Sequence, residues 1–153
     1  MPTLSTSTRP DLLRDPHLYL TLVASVCCAL ALHILLPDGF AADIASSLVS
    51  ISLFVIAYPV VEEWLFRGLI QGELLRLRKL SRTFTGISGA NLVTSLLFVA
   101  LHLINHPPLW AMAVLVPSLV LGHFRERYQQ VWIPMALHML FNASYLVAGL
   151  PWP

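Results

Sequence analysis

Two glutamates and an arginine interrupt one of the most hydrophobic parts of the chain. Glu62, Glu63 and Arg67 follow directly after the apolar residues 51–58. A charge at membrane depth costs about 2.5–3.5 kcal/mol on insertion scales, and such residues usually face a bundle interior and mark function. Glu63 and Arg67 are four residues apart, so on a helix they share a face and can form an ion pair. Glu62 points about 100° away from Glu63 and has no local partner, which makes it the candidate general base.

Two histidines and an asparagine lie in other apolar segments. His138 and Asn142 are one helical turn apart and share a face. An imidazole and an amide in this arrangement could bind a carbonyl oxygen or an oxyanion, or provide half of a metal site. His102 alone is best explained as a packed histidine, and Asn142 alone as a hydrogen bond between helices. Together with the charged cluster, however, these residues predict a catalytic site rather than a structural ion-pair network.

The composition predicts an all-α polytopic membrane helix bundle. The 153 residues suffice for one domain; 57% of them are hydrophobic and 11% are charged, whereas soluble domains have about 25% charged residues. The expected surroundings are therefore a lipid bilayer. The formal charge of +1 and the absence of a basic arm from the sequence exclude nucleic acid as a partner.

The apolar runs divide the chain into a tail and one membrane domain. Residues 1–16 are rich in Ser, Thr and Pro and are predicted to be a flexible N-terminal tail, and residues 17–153 form a single transmembrane domain. The flanks of the first run also fit a signal peptide, but its length favours a retained helix. About five transmembrane helices are expected, at residues 17–36, 41–58, 91–103, 109–124 and 131–147.

Pro59 separates the second span from the charged cluster. Its missing N–H and its ring are expected to kink the helix or to start a new one. The Glu62-Glu63 motif is therefore predicted to lie on a kinked or amphipathic helix over residues 60–80. Residues 81–88 are predicted to be a connection, and residues 125–127 are expected to cap the fourth span.

The basic residues predict the topology. Eight of the nine Lys and Arg residues lie in the tail, in residues 76–82 or in residues 125–127, and Arg67 is the exception. Loops with and without Lys or Arg alternate, which by the positive-inside rule predicts a cytoplasmic N-terminus. This topology raises a difficulty of depth. On straight helices Glu62 would lie about 28 Å from the outer end of its span at Asp43, and His102 only about 6 Å from the outer turn.

Three short motifs resemble those of a known family. Glu62-Glu63-x-x-x-Arg67, Phe98-x-x-x-His102 and His138-x-x-x-Asn142 occur in this order on successive hydrophobic segments. They resemble the motifs of the CPBP intramembrane proteases, which comprise the type 2 CAAX prenyl proteases and relatives associated with bacteriocin processing or immunity. The resemblance covers roughly residues 51–145, and family members are generally longer.

The resemblance implies a role for each motif residue. Glu62 would activate water as the base, His102 would position that water, and His138 and Asn142 would polarise the scissile carbonyl. Glu63 and Arg67 would be supporting residues. No cofactor is favoured because the sequence has no HExxH helix, although Glu62, His102 and His138 also provide a donor set for zinc.

The resemblance also implies a substrate class and a location. The expected substrate is a membrane-anchored protein or peptide in the bacterial inner membrane. The compact length resembles that of short members associated with C-terminal sorting systems, such as those recognising JDVT-type tails. Two alternatives remain open: a proton-coupled small transporter, although the sequence shows no inverted repeat, and a non-enzymatic membrane partner or immunity protein.

Overall fold

The structure, a computed structural model, describes residues 10–35, 41 and 47–150. The predicted turn at residues 37–39 and most of the start of the predicted second span lie outside the described residues. Within them the chain forms helices and one small hairpin, in the order α1 (Pro16–Leu35), α2 (Leu48–Leu74), β1 (Thr83–Phe84), β2 (Ile87–Ser88), α3 (Gly89–His102), α4 (Pro108–Ala113), α5 (Leu115–Tyr128) and α6 (Trp132–Ala148).

The predicted all-α membrane bundle is confirmed. By length and composition α1, α2 and the combined segment Pro108–Tyr128 are each able to cross a membrane. Two of the predicted spans are shorter apolar helices, namely α3 and α6. Most large apolar side chains of α1 are exposed, as expected for a helix that faces lipid. The protein is therefore an integral membrane protein.

The described residues before α1 take part in the fold. Asp11 caps the 3-10 turn Leu12–Arg14, and Asp15 is fully buried. Asp15 accepts hydrogen bonds from Arg127 Nε (2.6 Å), from Arg127 Nη2 (2.9 Å) and from the Tyr128 hydroxyl (2.5 Å). The last residues of the predicted tail are therefore part of the fold. This contact also places the N-terminal end of α1 and the C-terminal end of α5 on the same side of the bundle.

The Asp15 contacts predict a loss of stability in acid. The hydrogen bonds from Arg127 hold the pKa of Asp15 well below its usual value. A depressed folded-state pKa stabilises the fold above the unfolded pKa of about 4, and this contribution is lost as the pH falls towards the folded pKa. Asp15→Asn should lower the free energy of unfolding by about 1.5–3 kcal/mol at pH 7. The difference from wild type should shrink by about 1 kcal/mol between pH 5 and pH 3.

Thermal unfolding in detergent at several pH values measures this difference. Asp11→Asn is the matched control, because Asp11 is exposed and asparagine also caps helices well. A difference between Asp15→Asn and wild type that stays constant down to pH 3 would contradict the assigned role of Asp15.

Helix α2 differs from its prediction. It runs without interruption through Pro59 and ends at Leu74, so no new helix starts at Pro59, and the helical segment that carries the glutamates ends before the expected residue 80. The helix continues through Pro59 because the turn before the proline, Leu53–Ala57, is a π-helix, whose wider backbone accommodates residues that a regular α-helix excludes. A second π-helical segment, Trp64–Ile70, follows the two glutamates.

The connection after α2 is more regular than expected. Thr83 pairs with Ser88 and Phe84 with Ile87 in an antiparallel hairpin. Its two turn residues, Thr85 and Gly86, both have positive φ (51° and 87°), as a type I′ turn requires. The Ser88 side chain then accepts a hydrogen bond from the Asn91 N–H and caps α3.

The fourth predicted span is divided before its proline. α4 ends at Ala113, four residues before Pro117, because a proline ring collides with the carbonyl group four residues earlier. α5 continues to Tyr128, so Arg125, Glu126 and Arg127 belong to the helix and do not form the expected cap.

Contacts between neighbouring helices hold the bundle together around the charged cluster. α5 packs against α3 so closely that a Cβ atom at Gly122 would overlap the buried Asn91 amide. α5 and α6 share the apolar core, formed by Leu121, Phe124, Tyr128, Ile133 and Leu137. α1 lies against α6 through a hydrogen bond between the Ser25 and Ser144 hydroxyl groups. α2 contacts both α3 and α6.

Candidate active site

The two glutamates lie near the middle of α2. Glu62 is the fifteenth of the 27 residues of this helix, and the α-helical segment Tyr58–Glu63 that carries it is flanked by the two π-helical segments. π-turns of this kind often occur at functional sites. Glu63 and Arg67 are fully buried, whereas the Glu62 side chain is 27% exposed. The two neighbouring carboxylates therefore have different surroundings.

Glu63 and Arg67 form the predicted ion pair. Arg67 Nη1 lies 3.0 Å from Glu63 Oε1, and Arg67 Nη2 donates to the carbonyl oxygen (3.0 Å) and the hydroxyl (2.8 Å) of Ser118. The guanidinium group also lies 5.0 Å from the centre of the Phe98 ring. A buried ion pair needs such additional partners, because its attraction alone rarely repays the desolvation of both charges.

His138 lies between the two glutamates. Its Nδ1 is 2.9 Å from Glu63 Oε1, so Nδ1 donates to this carboxylate and the ring orientation is fixed. Its Nε2 faces Glu62 Oε2 at 3.7 Å, which is too long for a direct hydrogen bond and suits a shared water. A carboxylate that orients one nitrogen of an imidazole, while the other nitrogen faces the reaction site, is a recurrent catalytic arrangement.

His102 reaches the same cluster through Phe98. The Phe98 ring centre lies 4.4 Å from that of His102 and 6.0 Å from that of His138. His102 Nδ1 is 2.9 Å from the Phe98 carbonyl oxygen. Since a carbonyl oxygen only accepts hydrogen bonds, Nδ1 carries the proton and Nε2 of the neutral ring is an acceptor. As an acceptor, His102 Nε2 can position a water by accepting a hydrogen bond from its O–H group.

Asn142 has a different partner from the one expected. Its Nδ2 donates to the Phe54 carbonyl oxygen on α2 at 2.8 Å. His138 and Asn142 lie one turn apart on α6, and each of them bonds to a group on α2.

The bounds of the helices explain how Glu62 and His102 lie close together, although straight predicted helices would place them at different depths. α2 begins in the described residues at Leu48, so Glu62 is about 21 Å along it and close to its midpoint. α3 has only 14 residues, so its end at His102 does not need to reach the outer surface. α2 does not turn back at Pro59. Arg67, His102 and His138 consequently meet around the Phe98 ring, and Glu62 and Glu63 join them through His138.

Two partners of the site are not predicted by the sequence. Ser118 binds Arg67 with both its backbone and its side chain, and Phe54 provides the carbonyl group for Asn142. Ser118 follows Pro117 in an apolar helix, and this polar position was the only available signal. The Phe54 contact uses a backbone atom, so its residue type carries no information.

The zinc donor set does not come together as a metal site. Within the part of the chain that the structure describes, no group of three or more His, Cys, Asp or Glu side chains is arranged to hold a metal ion. Glu62 and His138 face each other at 3.7 Å, whereas the His102 ring packs against Phe98 and bonds to its own helix through Nδ1. Glu62, His102 and His138 therefore do not fit a zinc ion in this arrangement.

Comparison with known families gives a match that covers the site. The family described as Type II CAAX prenyl endopeptidase Rce1-like matches residues 44–144, about two-thirds of the chain. No curated protein and no solved structure matches the chain. The matched range contains all six predicted site residues, including the His138 that bridges the two glutamates. The protein thus belongs to the Type II CAAX prenyl endopeptidase Rce1-like family.

Proposed function

We propose that this protein is an intramembrane endopeptidase that hydrolyses a peptide bond of a membrane-anchored protein by means of a water activated by Glu62. Family membership points to a protease. The observation that carries the mechanism is the position of His138, which is bonded to the buried Glu63 through Nδ1 and faces the more exposed Glu62 through Nε2.

The proposed reaction assigns one task to each group. The Glu62 carboxylate accepts a proton from a water that His102 Nε2 helps to orient, and the water oxygen attacks the scissile carbonyl carbon. In this scheme His138 carries a proton on each ring nitrogen, so that Nδ1 donates to Glu63 and Nε2 donates to the developing oxyanion, while Glu63 and Arg67 hold the imidazolium in place. The tetrahedral intermediate then breaks its C–N bond, and the proton held by Glu62 passes to the leaving amine. No cofactor takes part in this scheme.

We infer the substrate class from family membership and the orientation from the Asp15 contact. A family of prenyl endopeptidases suggests a cleavage site near the C-terminus of an anchored protein. We favour a C-terminal sorting signal in a bacterial inner membrane. The contact between Asp15 and Arg127 supports a cytoplasmic N-terminus, since the basic end of α5 and the tail then share the cytoplasmic side.

Cleavage in reconstituted vesicles tests this function. The purified protein is mixed with single-span reporter proteins that differ in their C-terminal segments, in water enriched in heavy oxygen. Mass spectrometry should find a shortened reporter with heavy oxygen at its new C-terminus. Absence of cleavage in every reporter, together with solute uptake driven by a pH gradient, would instead establish the transporter. Loss of cleavage on chelation, reversed by zinc, would overturn the metal-free scheme.

A further inference from the structure

Side chains from other helices bind the backbone of α2 at both of its π-helical segments. Asn142 Nδ2 donates to the Phe54 carbonyl oxygen in the first segment (2.8 Å), and Arg125 Nε donates to the Arg67 carbonyl oxygen in the second (3.0 Å). The two segments flank the glutamates. The backbone on either side of the proposed base is therefore tied to α6 and to α5.

The Phe54 carbonyl group has lost its donor within α2. In a regular α-helix it would accept from the N–H of Tyr58, but that N–H donates to the Leu53 carbonyl oxygen. In the π-helical pattern the donor would be residue 59, which is proline and has no N–H. A buried carbonyl group without a partner costs about 1–3 kcal/mol. Neighbouring helices can satisfy backbone groups freed in this way, and Asn142 does so here.

The π-turn determines which way Glu62 faces. A π-turn holds one residue more than an α-helical turn, so its conversion to an α-helix would rotate every following residue by about 100°. Glu62 lies only five residues after the end of the Leu53–Ala57 segment. A rotation of this size would turn Glu62 away from His138 Nε2 and would separate Glu63 from His138 Nδ1.

We propose that Asn142 is a positioning residue, which acts through the Phe54 carbonyl group to keep the π-turn and thereby to keep Glu62 opposite His138. This inference rests on the proposed function for its effect on cleavage. It differs from a carbonyl clamp in one consequence. A clamp binds the substrate whatever residue stands at position 59, whereas the positioning role is needed only because Pro59 provides no N–H.

A double-mutant cycle separates the two roles. Four chains are compared: wild type, Asn142→Ala, Pro59→Ala, and the double variant. Alanine at position 59 restores an N–H that can donate to the Phe54 carbonyl oxygen. Asn142→Ala should reduce kcat/KM about 10-fold to 100-fold when Pro59 is present, and less than about 3-fold when residue 59 is alanine. Equal losses in the two backgrounds would overturn the proposal.

Thermal unfolding of the same four chains without substrate gives an independent measurement. Asn142→Ala should lower the midpoint in detergent by about 3–8 °C with Pro59 present and by much less with alanine. If Pro59→Ala does not fold, Asn142→Ala alone decides the question. An unchanged unfolding midpoint in Asn142→Ala overturns the positioning role, and a lowered midpoint supports it. These midpoints do not depend on cleavage, so they remain decisive even if no reporter is cleaved and the proposed function fails.

Discussion

Replacement of Glu62 by glutamine should abolish cleavage while leaving the fold intact. Glutamine has the shape of glutamate but does not accept a proton, so the water would lose its base. General-base catalysis contributes about 100-fold to 10,000-fold, and we expect kcat/KM to fall by at least about 1,000-fold. Glu62 is partly exposed and faces His138 at 3.7 Å, so its neutralisation does not leave a fully buried charge without a partner.

The control for this variant lies on the same helix. Glu73→Gln changes an exposed glutamate that pairs with the exposed Arg76 across 3.4 Å, and exposed pairs of this kind contribute little. It should cleave reporters at the wild-type rate. The thermal unfolding midpoint should stay close to that of wild type for both variants. Cleavage by Glu62→Gln within about 10-fold of wild type would exclude Glu62 as the base.

The parts of the structure that follow local rules could be predicted from the sequence. α3 and α6 have bounds within about two residues of the apolar runs, because Ser88 caps one helix and Gly149 ends the other. The pairing of Glu63 with Arg67 depends on a spacing of four residues within one helix, and it is present. The two glutamates differ in burial, and this difference likewise follows from the 100° between their directions on the helix.

The parts that depend on distant contacts could not be predicted. A proline normally interrupts a helix, and α2 continues through Pro59 only because a π-turn and the distant Asn142 satisfy its backbone. Nothing in the residues around Pro59 encodes that partner. The bridge from Glu63 through His138 to Glu62 joins residues 75 or more positions apart. The motif spacing indicates that these residues act together, but not which nitrogen faces which carboxylate.

Replacement of Arg67 by alanine should have the largest effect on stability. Arg67 is fully buried and is the ion-pair partner of a fully buried carboxylate. Its loss leaves Glu63 with His138 alone, removes both hydrogen bonds to Ser118 and empties the space beside Phe98. Removing one partner of a buried ion pair costs about 3–5 kcal/mol, which is a large part of the 5–15 kcal/mol typical of a folded domain. We therefore expect poor accumulation in membranes and a strongly lowered unfolding midpoint.

The stability readout distinguishes the role of Arg67 from that of Glu62. Arg76→Ala is the matched control, because Arg76 is an exposed arginine just after α2 that pairs with the exposed Glu73. Its loss should change the free energy of unfolding by less than about 0.5 kcal/mol. Arg67→Lys should recover little, since a lysine cannot reach Glu63 and both Ser118 oxygens with one planar group. A stable, fully folded Arg67→Ala protein that merely cleaves slowly would contradict the supporting role. Arg67 would then act on the substrate itself, and the reaction scheme would need a second charged group at the site.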